Sequence, residues 1–313
     1  MAATGTVVIG GGSGFIGTAL SNLLRWVGYD VVIVSRVPGA FHMTWSDLER
    51  KGLPSNTTAV VSMAGQNVLD LTRRWTPGFQ QTVKASRINT TQSLVRAIQS
   101  SEVKPSVFVS TSGVGYYPPS QDKEYTEDSE GGKGDFFAEL SAEWEAAAQL
   151  PQEIGVRQVT IRSGVVLGRR GGMIAQLYWP FFFGTGGPVG AGSQYLPWIH
   201  LHDIVRLFLF AIETQRVQGV LNGVAPDIIT SKQFAQAFGS SLWRPAIIPL
   251  PELACNILMG KERAQMITQG QKVIPKRVLE YGFEYKFPDI RSACKEFSPL
   301  VYTDDLQGNN IDR

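Results

Sequence analysis

The segment Gly10-Gly11-Gly12-Ser13-Gly14-Phe15-Ile16-Gly17 restricts what this chain can fold into more than any other part of it. It follows the β-branched run Val7-Val8-Ile9 and opens an apolar-periodic stretch from Phe15 to Val27. Gly12, Gly14 and Gly17 satisfy G-x-G-x-x-G, while Gly11, Gly14 and Gly17 satisfy G-x-x-G-x-x-G. Between a strand and a helix, such glycines permit a tight turn and let backbone approach a pyrophosphate at the positive end of the helix. A purely structural glycine turn leaves the spacing and both flanking elements unmotivated. A nucleotide is therefore the expected ligand.

The rest of the first half keeps the same rhythm. Strands are expected at Val31 to Val34, at Val60-Val61 with Met63, at Val107 to Val109 and at Val159 to Ile161. Helical stretches lie between them, from Phe79 to Ile98 and around Glu139 to Gln149. Alternating β and α elements predict an α/β fold of Rossmann type, a doubly wound parallel sheet with helices on both faces. Strands that are apolar at successive positions suit a sheet buried on both sides.

The second half is less regular. Glycine and proline dominate from Gly164 to Pro197, and the charge-free stretch Met173 to Ile199 reads as a buried or ligand-lining loop region. An apolar helix is expected at Ile204 to Ile212, a strand at Gly219-Val220-Leu221, and a helix capped by Thr230 or Ser231. The resulting division assigns residues 1–165, with about 200–222, to a nucleotide-binding Rossmann domain. Residues 166–199 and 223–298 form a smaller C-terminal, substrate-type domain, and 299–313 a polar tail.

Composition narrows the function by exclusion. With 29 Lys+Arg against 27 Asp+Glu, the charge is too balanced for a dedicated nucleic-acid binder or a polybasic membrane-surface protein. Two cysteines, Cys255 and Cys294, exclude a disulfide scaffold, and with three histidines no metal site is expected. The glycines and prolines of 173–199 argue against a membrane span. No amino-terminal sorting signal is read, so a cytoplasmic location is expected, with the mitochondrion as the alternative.

The end of the second strand bears on which nucleotide binds. Where a ribose-binding Asp or Glu usually stands, the chain has Ser35-Arg36. A guanidinium pairs with a 2′-phosphate, and no carboxylate is there to repel it, so NADP(H) is expected over NAD(H).

Further motifs extend the pattern: Met63-Ala64-Gly65 after a strand, Ser110 to Tyr117 (STSGVGYY), Arg162 to Gly168 (RSGVVLG), Pro197-Trp198-Ile199-His200 and Gly270 to Pro275 (GQKVIP). With the glycine loop they make the chain resemble the extended and atypical short-chain dehydrogenases/reductases, of the NAD-dependent epimerase/dehydratase type. Within these it resembles the epimerase family protein subgroup, family 39U. The resemblance implies an NADP(H)-dependent oxidoreductase or epimerase-like protein acting on a small polar substrate. It also implies that Ala64 and Gly65 lie against the adenosine half of the cofactor, that Arg162 belongs to the cofactor site, and that Ser112 orients the substrate. A homodimer or an assembly partner remains open.

One departure from that family is chemical. Its members carry Tyr-x-x-x-Lys on a helix, the ammonium lowering the tyrosine's pKa for proton exchange. None of the nine tyrosines here has a lysine four residues on. Aligned through Glu145, the two positions fall at Phe137 and Ser141. Tyr116 and Tyr117 are the candidate substitutes, each able to donate a proton as a neutral phenol but poor as a base. A non-catalytic NADP(H)-binding protein, structural or redox-sensing, is the competing reading. Elsewhere, Arg73-Arg74-Trp75 reads as a helix start or an anion contact at the crevice mouth. His200 and His202 read as strand-end residues before a helix capped by Asp203.

Overall fold

A computed structural model describes residues 4–36, 39 and 41–298. Seven strands, numbered in chain order, form the main sheet: β1 (Thr6–Gly10), β2 (Asp30–Ser35), β3 (His42–Thr44), β4 (Thr57–Ser62), β5 (Val107–Gly113), β6 (Arg157–Ser163) and β7 (Gly219–Gly223). Their spatial order is β7-β6-β5-β4-β1-β2-β3, and every neighbouring pair is parallel. This is the doubly wound Rossmann order, in which the direction of winding reverses between β1 and β4.

The helices are α1 (Phe15–Trp26), α2 (Trp45–Lys51), α3 (Pro77–Ser100), α4 (Phe136–Ala147), α5 (Gly172–Phe182), α6 (Leu201–Glu213), α7 (Ser231–Ser241), α8 (Glu252–Met259), α9 (Lys261–Thr268), α10 (Lys276–Glu280) and α11 (Ile290–Glu296). Val7 and Ile9 of β1 pack with Leu20 and Leu24 of α1 and with Ile204 and Phe208 of α6. Val8, between them, faces the other way, into Leu94 and Ile98 of α3. The period of two along a strand thus places both neighbours of each residue on the opposite face. Both faces being covered by helices, β1 is buried at all five positions and β4 at five of its six.

Helix starts follow local chemistry. The Thr76 hydroxyl accepts from the Phe79 amide before α3, where Pro77 takes the first turn, and Asp135 accepts from the Phe137 and Ala138 amides before α4. Thr230, one of the two residues expected to cap α7, does so and forms a capping box with Gln233. His200 takes the cap at α6, its Nδ1 accepting from the His202 amide at 3.1 Å. That corrects the expectation for Asp203, which is fully buried and accepts instead from the Lys286 and Phe287 amides at 2.7 and 2.8 Å.

The charge-free stretch also departs from expectation. Residues 172–182 form α5, whose Ile174 and Phe181, two turns apart, bury one stripe against Phe234 and Phe238 of α7. Pro180 sits in the last turn, where little helix remains to be broken. This second core is completed by Trp198, Ile290, Cys294 and Phe297. The polar tail, 299–313, lies outside the described residues.

Candidate functional site

At the carboxyl ends of β1 and β4 the glycine loop folds tightly upon itself. Gly11 has φ +87°, and a Cβ there would lie 2.7 Å from the Ala64 backbone. A Cβ on Gly17 would lie 2.4 Å from the Gly11 carbonyl oxygen. Gly14 differs: its Cβ would meet only that oxygen, at 3.4 Å, and otherwise open space. Gly14 is also the N-cap of α1, with no side-chain cap and no acidic residue in the first turn. The amides there and the positive end of the helix dipole suit an anion. Ser13 is exposed beside this opening. Phe15 packs its ring against the turn at Gly168 and Gly171, and Ile16 packs on the sheet core, so these two contribute backbone rather than side chain to the loop mouth.

Ser35 is buried at the end of β2, and Arg36 after it is exposed, making no hydrogen bond or ion pair with the described residues. Ala64 is buried against the glycine loop, with Gly65 exposed next to it. Facing Gly65 is Arg87 of α3, which sequence reasoning missed; its guanidinium carbon lies 3.0 Å from where a Gly65 Cβ would stand. It donates to the Gln66 and Val83 carbonyls, at 3.0 and 3.2 Å. Burial without an acidic partner draws its pKa down to about 10. A lone arginine on a long helix carries no sequence signal for such a position.

At the end of β5, Ser112 is buried and its Oγ has no hydrogen-bond partner; the same is true of Thr111 Oγ1. Buried hydroxyls are normally satisfied, so each of these two, on opposite faces of the strand, is open to a polar partner. Phe137 and Ser141 flank the strand end. A Gly115 Cβ would stand 3.4 Å from Phe137 Cβ, and a Gly113 Cβ 3.9 Å from Ser141 Oγ. The Ser141 hydroxyl is already spent, donating to the Phe137 carbonyl at 2.8 Å. Phe137 stacks on Trp75, centroids 5.7 Å apart and planes 28° apart.

The two tyrosines part company. Tyr117 is fully buried; its hydroxyl accepts from Arg162 Nη1 at 2.8 Å and lies 2.8 Å from Asn222 Oδ1 and 3.0 Å from the Thr126 carbonyl oxygen. Burial pushes its pKa up against the pull of Arg162. Tyr116 is half-buried, its ring under the Arg162 guanidinium at 3.5 Å. Arg162, in register with Ser112 on the neighbouring strand, grips both oxygens of Glu145 through Nε and Nη2 at 2.8 Å each. Burial works against that guanidinium's charge, but Glu145 outweighs it and raises the pKa. Arg162 is thus bound within the protein on three of its donors.

His200 Nε2 faces Glu296 Oε2 at 2.5 Å, which joins the start of α6 to α11. Among the described residues no group of three His, Cys, Asp or Glu could hold a metal, and no helix is long and apolar enough to cross a membrane.

Known proteins resemble this chain over most of its length. The family model described as "NAD dependent epimerase/dehydratase family" matches residues 7–222, and one for a domain of unknown function (DUF1731) matches 250–297. The Bos taurus protein named Epimerase family protein SDR39U1 is 50% identical over 291 residues, covering 93% of this chain and 98% of the relative. A homolog from Arabidopsis thaliana, named as chloroplastic, is 37% identical over 304 residues, covering 93% of this chain and 86% of its own. A crystal structure of human SDR39U1 (isoform2) with NADPH superposes with a TM-score of 0.92 at 48% identity, covering 95% of this chain and 100% of that one.

Proposed function

Because the chain belongs to the NAD dependent epimerase/dehydratase family, with SDR39U1 proteins among its relatives, we propose that it binds NADP(H) and acts as an oxidoreductase or epimerase-like protein on a small polar substrate. The observation that carries this reading is the opening at Gly14, the N-cap of α1 without a side-chain cap, where a Cβ would meet nothing but the Gly11 oxygen beyond its chain neighbours. The human relative's structure with NADPH supports it.

In this reading Gly11 to Gly17 hold the pyrophosphate, Arg36 pairs with the 2′-phosphate, and Ala64 and Gly65 border the adenosine with Arg87 beside them. The nicotinamide, when bound, supplies or accepts a hydride. Ser112 orients the substrate through its buried hydroxyl. Phe137 has no proton to give, and Ser141 has committed its own. Tyr116 is the remaining phenol at this strand end, while Tyr117 and Arg162 serve by fixing it in place. Residues 166–199 and 223–298 supply the substrate side.

The absent tyrosine and lysine also favour a second reading, binding of NADP(H) without turnover. A single-turnover assay of NADPH oxidation over a panel of carbonyl compounds separates the two. Slow oxidation, lowered further in Tyr116→Phe with NADPH affinity unchanged, is the expected result. Rapid oxidation indifferent to Tyr116→Phe would refute the assignment of the acid.

A further inference from the structure

Two buried arginines of this chain present the same edge to different surroundings. Arg162 turns Nε and Nη2 to the two oxygens of Glu145, which is the planar fork-to-carboxylate match. Arg263, on α9, is 1% exposed, and its Nε and Nη2 have no hydrogen-bond partner among the described residues. Only Nη1 is used, donating to the Asp70 and Arg73 carbonyls at 3.2 and 3.1 Å. The guanidinium lies 4.9 Å from the Trp75 ring and 5.3 Å from that of Phe79. The nearby carboxylates hold other donors and neither bonds this edge: Glu262 Oε2 accepts from Trp75 Nε1 at 2.7 Å and Gln80 Nε2 at 2.6 Å, and Asp70 Oδ1 from the Thr72 amide and hydroxyl, so Asp70 acts on the guanidinium through its charge alone.

A buried guanidinium with an unpaired fork costs free energy that a purely structural staple has no reason to bear. Stacking on Trp75 explains the holding of the cation, not the orientation of its idle edge. Position adds a second argument. Trp75 stacks on Phe137, which packs against Gly115 just past the end of β5, so two aromatic rings, Trp75 and Phe137, lie between Arg263 and the strand end that carries Ser112.

We infer that the Nε/Nη2 edge of Arg263 binds a ligand carboxylate, making the substrate a carboxylate-bearing carbonyl compound whose charged end lies beyond Trp75. The inference deepens the proposed function and rests on it for the identity of the reacting group. Since these nitrogens are shielded from solvent, a ligand reaches them only if the packing around them opens, and Trp75, whose ring lies 4.9 Å from the guanidinium, reports that opening through its fluorescence.

The test is calorimetric titration of the protein saturated with NADP⁺, which cannot reduce a ketone, using 4-oxopentanoate, its methyl ester and inorganic phosphate. The acid should bind saturably with a change in tryptophan fluorescence, and the ester far more weakly. Arg263→Lys should weaken the acid about 10–100-fold, the loss expected for a charge-assisted hydrogen bond, with NADP⁺ affinity unchanged. If that variant does not fold, the acid-to-ester comparison on the unaltered protein decides. Equal binding of acid and ester, or indifference of the acid to Arg263→Lys, overturns the inference. Tighter binding of phosphate than of the acid overturns the carboxylate assignment. Failure of NADP⁺ itself to bind falls on the cofactor reading instead.

Discussion

Replacing Arg162 by methionine separates support of the site from contact with the cofactor. The pair with Glu145 is buried, side-chain exposure being 5% and 13%. Its removal leaves a carboxylate without two 2.8 Å partners and the Tyr117 hydroxyl without its donor. Breaking one half of a buried pair costs about 3–5 kcal/mol. Against a total stability of about 5–15 kcal/mol, that is a large share. Urea unfolding of the apoprotein should show it as a midpoint shift of about 1 M or more, at an m-value of about 3 kcal/mol/M. The double replacement Arg162→Met with Glu145→Leu should recover much of the loss, because no charge is then left buried. NADPH affinity should stay near that of the unaltered protein wherever the single variant is folded. A midpoint shift worth less than about 1 kcal/mol would refute the reasoning. So would a folded variant that has lost NADPH, which would make Arg162 a cofactor ligand as the family resemblance implies.

Two further outcomes follow from particular atoms. Gly14→Val should keep the fold, since its Cβ meets only the Gly11 oxygen at 3.4 Å, yet abolish NADPH binding in a fluorescence titration; Gly17→Ala should disturb the loop itself, with 2.4 Å to the same oxygen. A folded Gly14→Val with undiminished affinity would remove the pyrophosphate from this loop. Burial, aided by Lys286, holds His202 neutral and draws its pKa to about 4. The unfolded chain takes up that proton near pH 6.5, so this contribution is intact above about 6.5 and is lost as pH falls to about 4. Thermal melts across that window should fall less steeply for His202→Asn, and parallel curves would contradict the assignment.

The parallel sheet was legible because its strands are short, β-branched and separated by helical periods, and because the glycine loop fixes which strand comes first. Legibility fails where distant residues decide. Helix α5 hides in a charge-free run rich in aromatic residues and followed by glycines. It is helical because Ile174 and Phe181 find Phe234 and Phe238, some fifty residues on. His200 gave no cap signal, since histidine is not among the usual capping residues. The missing Tyr-x-x-x-Lys could be read directly, as an absence at Phe137 and Ser141. What surrounds that absence could not: Trp75 arrives from the loop after β4, and Arg87 and Arg263 from helices with no motif. Tyr116 and Tyr117, adjacent in sequence, separate only in three dimensions, one beneath a guanidinium and the other wholly within the core.

The central claim, an NADP(H) site built on the glycine loop and Arg36, is tested most directly by titrating NADPH and NADH into the unaltered protein and into Arg36→Ala. The account predicts tighter binding of NADPH by the unaltered protein. It also predicts a loss of about 1.5–3 kcal/mol for NADPH alone in the variant, the worth of a hydrogen bond to a charged group. Tighter binding of NADH, or equal losses for both nucleotides, would contradict it.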